Sequence, residues 1–140
     1  MPLECLIIGD SIASGLAKVR PECISVAEIG ISSRNWYITN HKRPLVDMAE
    51  YKTVVISLGS NDSDNTDYER WIRKTRDTVK ADRVIWLLPS PVKKTKQHEA
   101  VNRVAYEHGD SVVDLTSIVG PDKIHPPTVA AYQALAKSTR

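Results

Sequence analysis

Four stretches of the chain set reactive residue types beside turn-forming ones. Gly9-Asp10-Ser11 follows a first apolar run, Gly30 ends a second, and Gly59-Ser60-Asn61-Asp62 follows a third. Asp122-Lys123-Ile124-His125 then stands just before Pro126-Pro127. A serine hydroxyl is a poor nucleophile until a base takes its proton. Of the four histidines, His125 is the best candidate base: Asp122 lies three residues earlier. In a turn, that carboxylate can accept from Nδ1–H, fix the tautomer and leave Nε2 facing a serine. His41 falls in a basic loop, and His98 and His108 fall in or at the end of a helical pattern; all three read as surface residues. Acyl transfer puts charge on the former carbonyl oxygen, where fixed donors are worth roughly 3–4 kcal/mol each. The Asn61 amide, the Gly30 N–H and the Ser11 N–H are the candidates.

Each stretch also has a plainer reading. Gly-Asp-Ser by itself describes a turn with a helix cap, and Gly-Ser-Asn-Asp a polar turn. Gly30 is singled out only by its place after a strand. Asp122 and His125 alone fit a capping carboxylate and a solvated ring. A phosphate site is disfavoured, because neither Gly-x-x-x-x-Gly-Lys nor Gly-x-Gly-x-x-Gly occurs. Chemistry therefore requires these stretches to converge, and convergence requires a fold.

Runs rich in Val and Ile cover Leu3–Ile8, Ile24–Ile29, Thr53–Leu58, Val84–Leu88 and Ser111–Leu115. Apolar at nearly every position, they suit strands covered on both faces. Between them lie helical patterns. Tyr68, Trp71, Ile72, Thr75 and Val79 form one stripe, with Thr66 and Glu69 as a capping box. Thr95–His108 predicts a helix stopped by Gly109, with Ala100, Val101, Val104 and Ala105 inward. Another begins in the Pro126-Pro127 turn and buries Val129, Ala130 and Leu135. Ile12–Arg20 is a short helix, and residues 33–49 hold one or two helices broken at Pro44. Five strands alternating with helices imply a doubly wound α/β/α sandwich, flavodoxin-like, around a parallel sheet. In such sheets ligands sit beyond the carboxyl ends of the strands, where Ser11, Gly30, Asn61 and the Asp122–His125 pair all fall.

A length of 140 residues suits one domain, 1–140, and cannot supply two cores. The chain has no Phe, so its three Trp and five Tyr join the aliphatic residues in the interior. A net charge of +2, with Lys93-Lys94-Thr95-Lys96 as the one basic cluster, leaves no stripe for nucleic acid; the cluster reads as a solvated helix start. Cys5 and Cys23 make no disulfide framework and read as two buried thiols in strands. No apolar run is long enough for a signal peptide or membrane span. Cytoplasmic placement is the default, and a virion-associated or lysis-released protein would share this pattern.

Taken in order, Gly9-Asp10-Ser11, Gly30, Gly59-Ser60-Asn61-Asp62 and Asp122-Lys123-Ile124-His125-Pro126 resemble the four sequence blocks of the SGNH hydrolases, the GDSL esterases and lipases. The resemblance runs from the first strand to the last helix. It implies Ser11 as nucleophile, His125 as general base and acid, and Asp122 as the residue orienting it. Ser11, Gly30 and Asn61 would form the oxyanion hole. It also implies a three-layer sandwich on five parallel strands, an esterase acting through a Ser-His-Asp triad, and no metal or organic cofactor. Two departures matter. Gly-Asp-Ser-Ile replaces the commoner Gly-Asp-Ser-Leu, and the chain is short, with little sequence for a lid. An open, shallow site follows, suited to short acyl groups such as acetyl, O-acetyl groups on carbohydrate included. Arg34, Trp36 and Ser63 are candidates for substrate contact, with Ser32, Asn35, Asp64 and Pro89-Ser90-Pro91 nearby; Trp36 also suits the core. The partner expected is a small-molecule or glycan ester. The competing reading is an SGNH-like module that binds glycan or protein without turnover.

Overall fold

A computed structural model describes residues 2–140. Five strands form one parallel sheet: β1 (Leu3–Gly9), β2 (Ile24–Ala27), β3 (Glu50–Ser57), β4 (Lys80–Leu87) and β5 (Ser111–Val113), in the order β2-β1-β3-β4-β5. The helices are α1 (Ser11–Val19), α2 (Ser33–Asn40), α3 (Pro44–Asp47), α4 (Tyr68–Thr78), α5 (Thr95–His108) and α6 (Val129–Ser138).

The continuous apolar runs explain the two-sided burial. Ile7, Val55, Ile85 and Leu87 point to one face, where Ile12 and Leu16 of α1 and Leu135 and Ala136 of α6 cover them. Leu6, Ile8, Val54, Ile56, Val84 and Trp86 point to the other, under Trp36, Val46, Ile72, Val101 and Val104 of α2 to α5. Successive residues alternate between faces, as the strand period of two demands. The fold class expected from the alternation of runs is the one observed.

Several local expectations change. The strands β3 and β4 begin earlier than the apolar runs Thr53–Leu58 and Val84–Leu88, because Glu50↔Lys80 and Tyr51↔Ala81 extend the ladder, and Tyr51 is itself buried in the core. Edge strand β2 stops at Ala27, and Ile29 is 75% exposed. The Thr66–Glu69 capping box does not form: Thr66 Oγ1 donates to the Ser63 carbonyl, and Glu69 is engaged by Arg73 and Arg103. Helix α6 starts after the prolines, with Thr128 as cap accepting from the Ala131 N–H at 3.1 Å. Val129 and Ala130 are consequently exposed, whereas Leu135 is buried as expected, together with Ala136.

The cysteines are also corrected. Cys5 and Cys23 form a disulfide with Cα atoms 4.8 Å apart. Parallel pairing of Leu6 with Ile24 brings the two preceding residues side by side, although Cys23 itself lies just before β2. Two cysteines across one strand pair were too few to read as a framework, but register made them neighbours. Among the described residues, no helix is long and apolar enough to cross a membrane. Nor are three His, Cys, Asp or Glu side chains gathered so as to hold a metal ion.

Candidate active site

Ser11 is the first residue of α1, directly beyond the carboxyl end of β1. Gly9 makes that turn possible. Its φ is +133°, and a Cβ there would stand 1.9 Å from the Ser57 carbonyl oxygen, so both conformation and space require glycine. The Asp10 N–H donates to that same carbonyl at 3.0 Å, pinning the turn to β3. Asp10 caps α1: its Oδ1 accepts from the Ile12 N–H at 3.1 Å and from Ser57 Oγ at 2.9 Å. Its Oδ2 is buried with no partner. Burial lifts this carboxyl from 3.8 to about 6, against the pull of the Ser57 hydroxyl and the Ile12 and Ala13 N–H groups. The helix-cap reading of Gly-Asp-Ser therefore holds for Asp10 and leaves Ser11 free to face outward.

The loop between β5 and α6 brings His125 to Ser11. It folds on itself, with the Gly120 N–H donating to the His125 carbonyl at 2.9 Å and the Lys123 N–H to the Gly120 carbonyl at 3.0 Å. Asp122 Oδ1 accepts from the backbone N–H groups of Ile124 and His125 at 2.9 and 3.0 Å. Its Oδ2 lies 2.7 Å from His125 Nδ1. The bonds from the His125 and Ile124 N–H groups, then the imidazole, hold the Asp122 carboxyl down to about 2. A carboxylate ionised above that pH can only accept, so Nδ1 carries the proton. Nε2 is left as acceptor for the Ser11 hydroxyl, 2.9 Å away. The chain Ser11–His125–Asp122 is thus a connected relay of hydrogen bonds, spanning 114 positions of sequence between serine and histidine. Such an arrangement can remove a proton from a hydroxyl and return it to a leaving group.

Asn61 and Gly30 come from two loops that are tied together. One Asn61 amide hydrogen donates to the Ile31 carbonyl at 3.1 Å. Next in the chain, Asp62 is buried and accepts from the Ser33 N–H at 2.9 Å and Ser33 Oγ at 2.6 Å. The Asp62 carbonyl in turn accepts from Gln97 Nε2 at 2.7 Å and Lys94 Nζ at 3.1 Å. Two consecutive residues after β3 therefore fix the segment that follows β2, and Gln97 of α5, with Lys94 just before that helix, holds Asp62. Gly30 sits in that segment with φ +80°, exposed, and its N–H makes no bond among the described residues. No hydrogen bond joins Asn61 to Ser11 or His125. No motif or spacing in the sequence signals the roles of Ser33, Gln97 and Lys94, and Lys94 departs from the solvated helix start expected of its basic cluster.

Two separate open clefts take lining residues from these loops. One is lined by Ser11, Ser14, Lys18, Ile29, Pro127 and Tyr132. The other is lined by Asn61 together with Ser32, Arg34, Ser63 and Trp71 among others. The segment Ile29–Ser32 runs between them, contributing a residue to each. Arg34 and Ser63 thus border the cleft at Asn61, as does Asn35, whereas Asp64 accepts from Gln97. Trp36 does not: it is fully buried, its indole N–H donating to the Val26 carbonyl at 2.9 Å, and it belongs to the core. Ser90 and Pro91 line a smaller, apolar cleft beside Lys123 and Ile124.

No family model matches the sequence, and a search of curated proteins finds no match. Solved structures do match. An acetylxylan esterase from Geobacillus stearothermophilus superposes with a TM-score of 0.66 at 19% identity, covering 99% of this chain and 94% of that one. Catalytic mutants of that esterase carry alanine in place of a serine and of a histidine. A GDSL-like lipase from Bacteroides thetaiotaomicron gives 0.64 at 18% identity, covering 97% and 86% of the two chains. A lipase/acylhydrolase from Enterococcus faecalis gives 0.68 at 15%, covering 96% and 92%. Over nearly its whole length, then, this chain has the fold of the SGNH/GDSL esterases and lipases, a five-stranded parallel sheet flanked by helices.

Proposed function

We propose that the protein is a serine esterase that hydrolyses short-chain carboxylic esters, with O-acetyl groups on carbohydrate as the substrate class. The observation that carries this reading is the hydrogen-bonded relay from Ser11 Oγ through His125 to Asp122. Ser11 Oγ attacks the ester carbonyl carbon while its proton passes to His125 Nε2. Negative charge gathers on the carbonyl oxygen, facing the Ser11 N–H at the α1 N-terminus, the Gly30 N–H and the second Asn61 amide hydrogen. Asp122 stabilises the imidazolium. That imidazolium then protonates the alcohol oxygen as the C–O bond breaks, leaving an acyl group on Ser11. Water, deprotonated by Nε2, attacks the acyl carbon, and the carboxylic acid leaves with Ser11 restored. No cofactor enters this sequence.

Support for a short acyl group comes from the open cleft beside Ser11 and from the acetylxylan esterase, whose fold the chain shares. Hydrolysis of p-nitrophenyl acetate by the purified protein tests the reading. Ser11→Ala is expected to lower kcat by about 10³-fold or more. A variant as fast as the parent removes Ser11 from the mechanism.

A further inference from the structure

The cleft at Asn61, about 580 Å³ in volume, continues onto a face shared by α2 and α4. Half-buried Trp71 lies there, with the Arg34 guanidinium 5.9 Å and the Arg70 guanidinium 5.2 Å from its ring centre. Tyr37 leans on Trp71 at 5.8 Å, stacks on His41 at 4.2 Å and carries Lys74 Nζ 5.9 Å from its ring. Among the described residues none of Arg34, Arg70 and Lys74 has a carboxylate partner. Their neighbours differ sharply: Arg73 is bound by Glu69 and Glu107, and Arg76 by Asp110. The sequence shows no basic stripe because Arg34 and Arg70 are far apart in it; the fold gathers them on one indole.

A guanidinium held near an indole is oriented at modest entropic cost and keeps N–H donors for a planar, two-oxygen acceptor. The same cleft is lined by the hydroxyl- and amide-bearing Ser32, Asn35 and Thr66 and by Asp62 and Asp67, of which Asp62 is bound by Ser33. That mixture suits a molecule bearing both hydroxyls and a carboxylate. Helix α2, eight residues and about 12 Å long, gives the face room for a short oligosaccharide.

We propose that this cleft is the alcohol-side subsite of the esterase and takes an acetylated acidic saccharide, the carboxylate of a uronic acid-type sugar seated on Arg34 and Arg70. The inference rests on the esterase reading above. Its test compares acetylated oligogalacturonate with acetylated xylooligosaccharide and p-nitrophenyl acetate. The acidic substrate should show at least a tenfold higher kcat/KM than the neutral glycan, an advantage that shrinks with added salt. Arg34→Ala with Arg70→Ala should lower the ratio of kcat/KM on oligogalacturonate to that on p-nitrophenyl acetate at least tenfold, through KM; lysine at both positions should restore part of it. Equal rates on acidic and neutral glycans, or an unmoved ratio, overturn the proposal. Calorimetry with Ser11→Ala protein and unacetylated oligogalacturonate separates this claim from the chemistry. Binding lost in the double arginine variant supports the subsite even if no ester is turned over. Absent binding, or equal binding of a single-stranded oligonucleotide, refutes it. Loss of p-nitrophenyl acetate hydrolysis as a Ser11-dependent reaction would refute the esterase reading alone.

Discussion

Asp10 and Asp122 stand on either side of the Ser11–His125 hydrogen bond, the first with no exposed surface and the second with half its side chain in solvent. Asp10 belongs to a turn locked between β1 and β3 by Gly9, Ser57 and the cap of α1. Asp122 belongs to a surface loop held by its own carboxylate, which collects two backbone N–H groups and the imidazole. Burial pushes the Asp10 carboxyl up to about 6; hydrogen bonds pull the Asp122 carboxyl down to about 2. The difference teaches that the two halves of the site bear different burdens. The nucleophile's half is part of the core, so damage there registers as lost stability. The histidine's half is built locally, so damage there registers as lost rate.

The sharpest way to break that division is Asp122→Asn. It reverses the donor that Nδ1 meets, favouring the tautomer with Nε2 protonated, and kcat should fall by about 10³–10⁴-fold. Circular dichroism melting should shift little, because the loop is exposed; a large fall in Tm would show the loop to be structural. Gly9→Ala is the converse experiment. The Cβ collision with the Ser57 carbonyl and the positive φ should destabilise by about 3–5 kcal/mol in urea unfolding. A loss under about 1 kcal/mol would mean the turn is not locked.

Asp10→Asn sharpens the comparison through pH. A folded-state pKa of about 6 above the ordinary 3.8 means that the folded protein holds this proton more tightly, so its contribution favours folding at low pH and declines as pH rises from 3.8 through about 6. Over that window the change amounts to roughly 3 kcal/mol. Asparagine keeps the acceptor for Ile12 and Ser57 and removes the charge. The stability of the variant relative to the parent should therefore rise between pH 4 and pH 7, and parallel curves would contradict the assignment. Asp122 has the opposite sign and a lower window: its contribution is present above 3.8 and is lost as pH falls toward about 2. The smallest effect is expected at Lys123, which holds a left-handed φ of 63°. Lys123→Gly should stabilise by about 1 kcal/mol or less. A clear loss would show that the lysine side chain supports the loop.

Legibility in the sequence followed the same divide between local and assembled features. Strands were readable as continuous apolar runs and helices by their period, and α5 with its Gly109 stop matches residue for residue. The Asp122–His125 turn was readable because its partners are three residues apart. What escaped depends on register or on packing between distant elements. The Cys5–Cys23 disulfide needs the pairing of β1 with β2, and the burial of Asp10 needs β3 alongside. The clamp of Asp62 by Ser33, with Gln97 and Lys94 on its carbonyl, joins three segments that no spacing connects. Trp36 and Trp71 show the same limit. Both sit on helical patterns, and only the packing of α2 against α4 decides that Trp36 is core and Trp71 borders the cleft.

The central claim is tested most directly by asking which atom reacts. Intact protein treated with a fluorophosphonate and digested for mass spectrometry should carry the adduct on the peptide containing Ser11, and His125→Ala should slow labelling by at least about 10²-fold. An adduct on a different serine, or labelling of Ser11 at the same rate without His125, would contradict it.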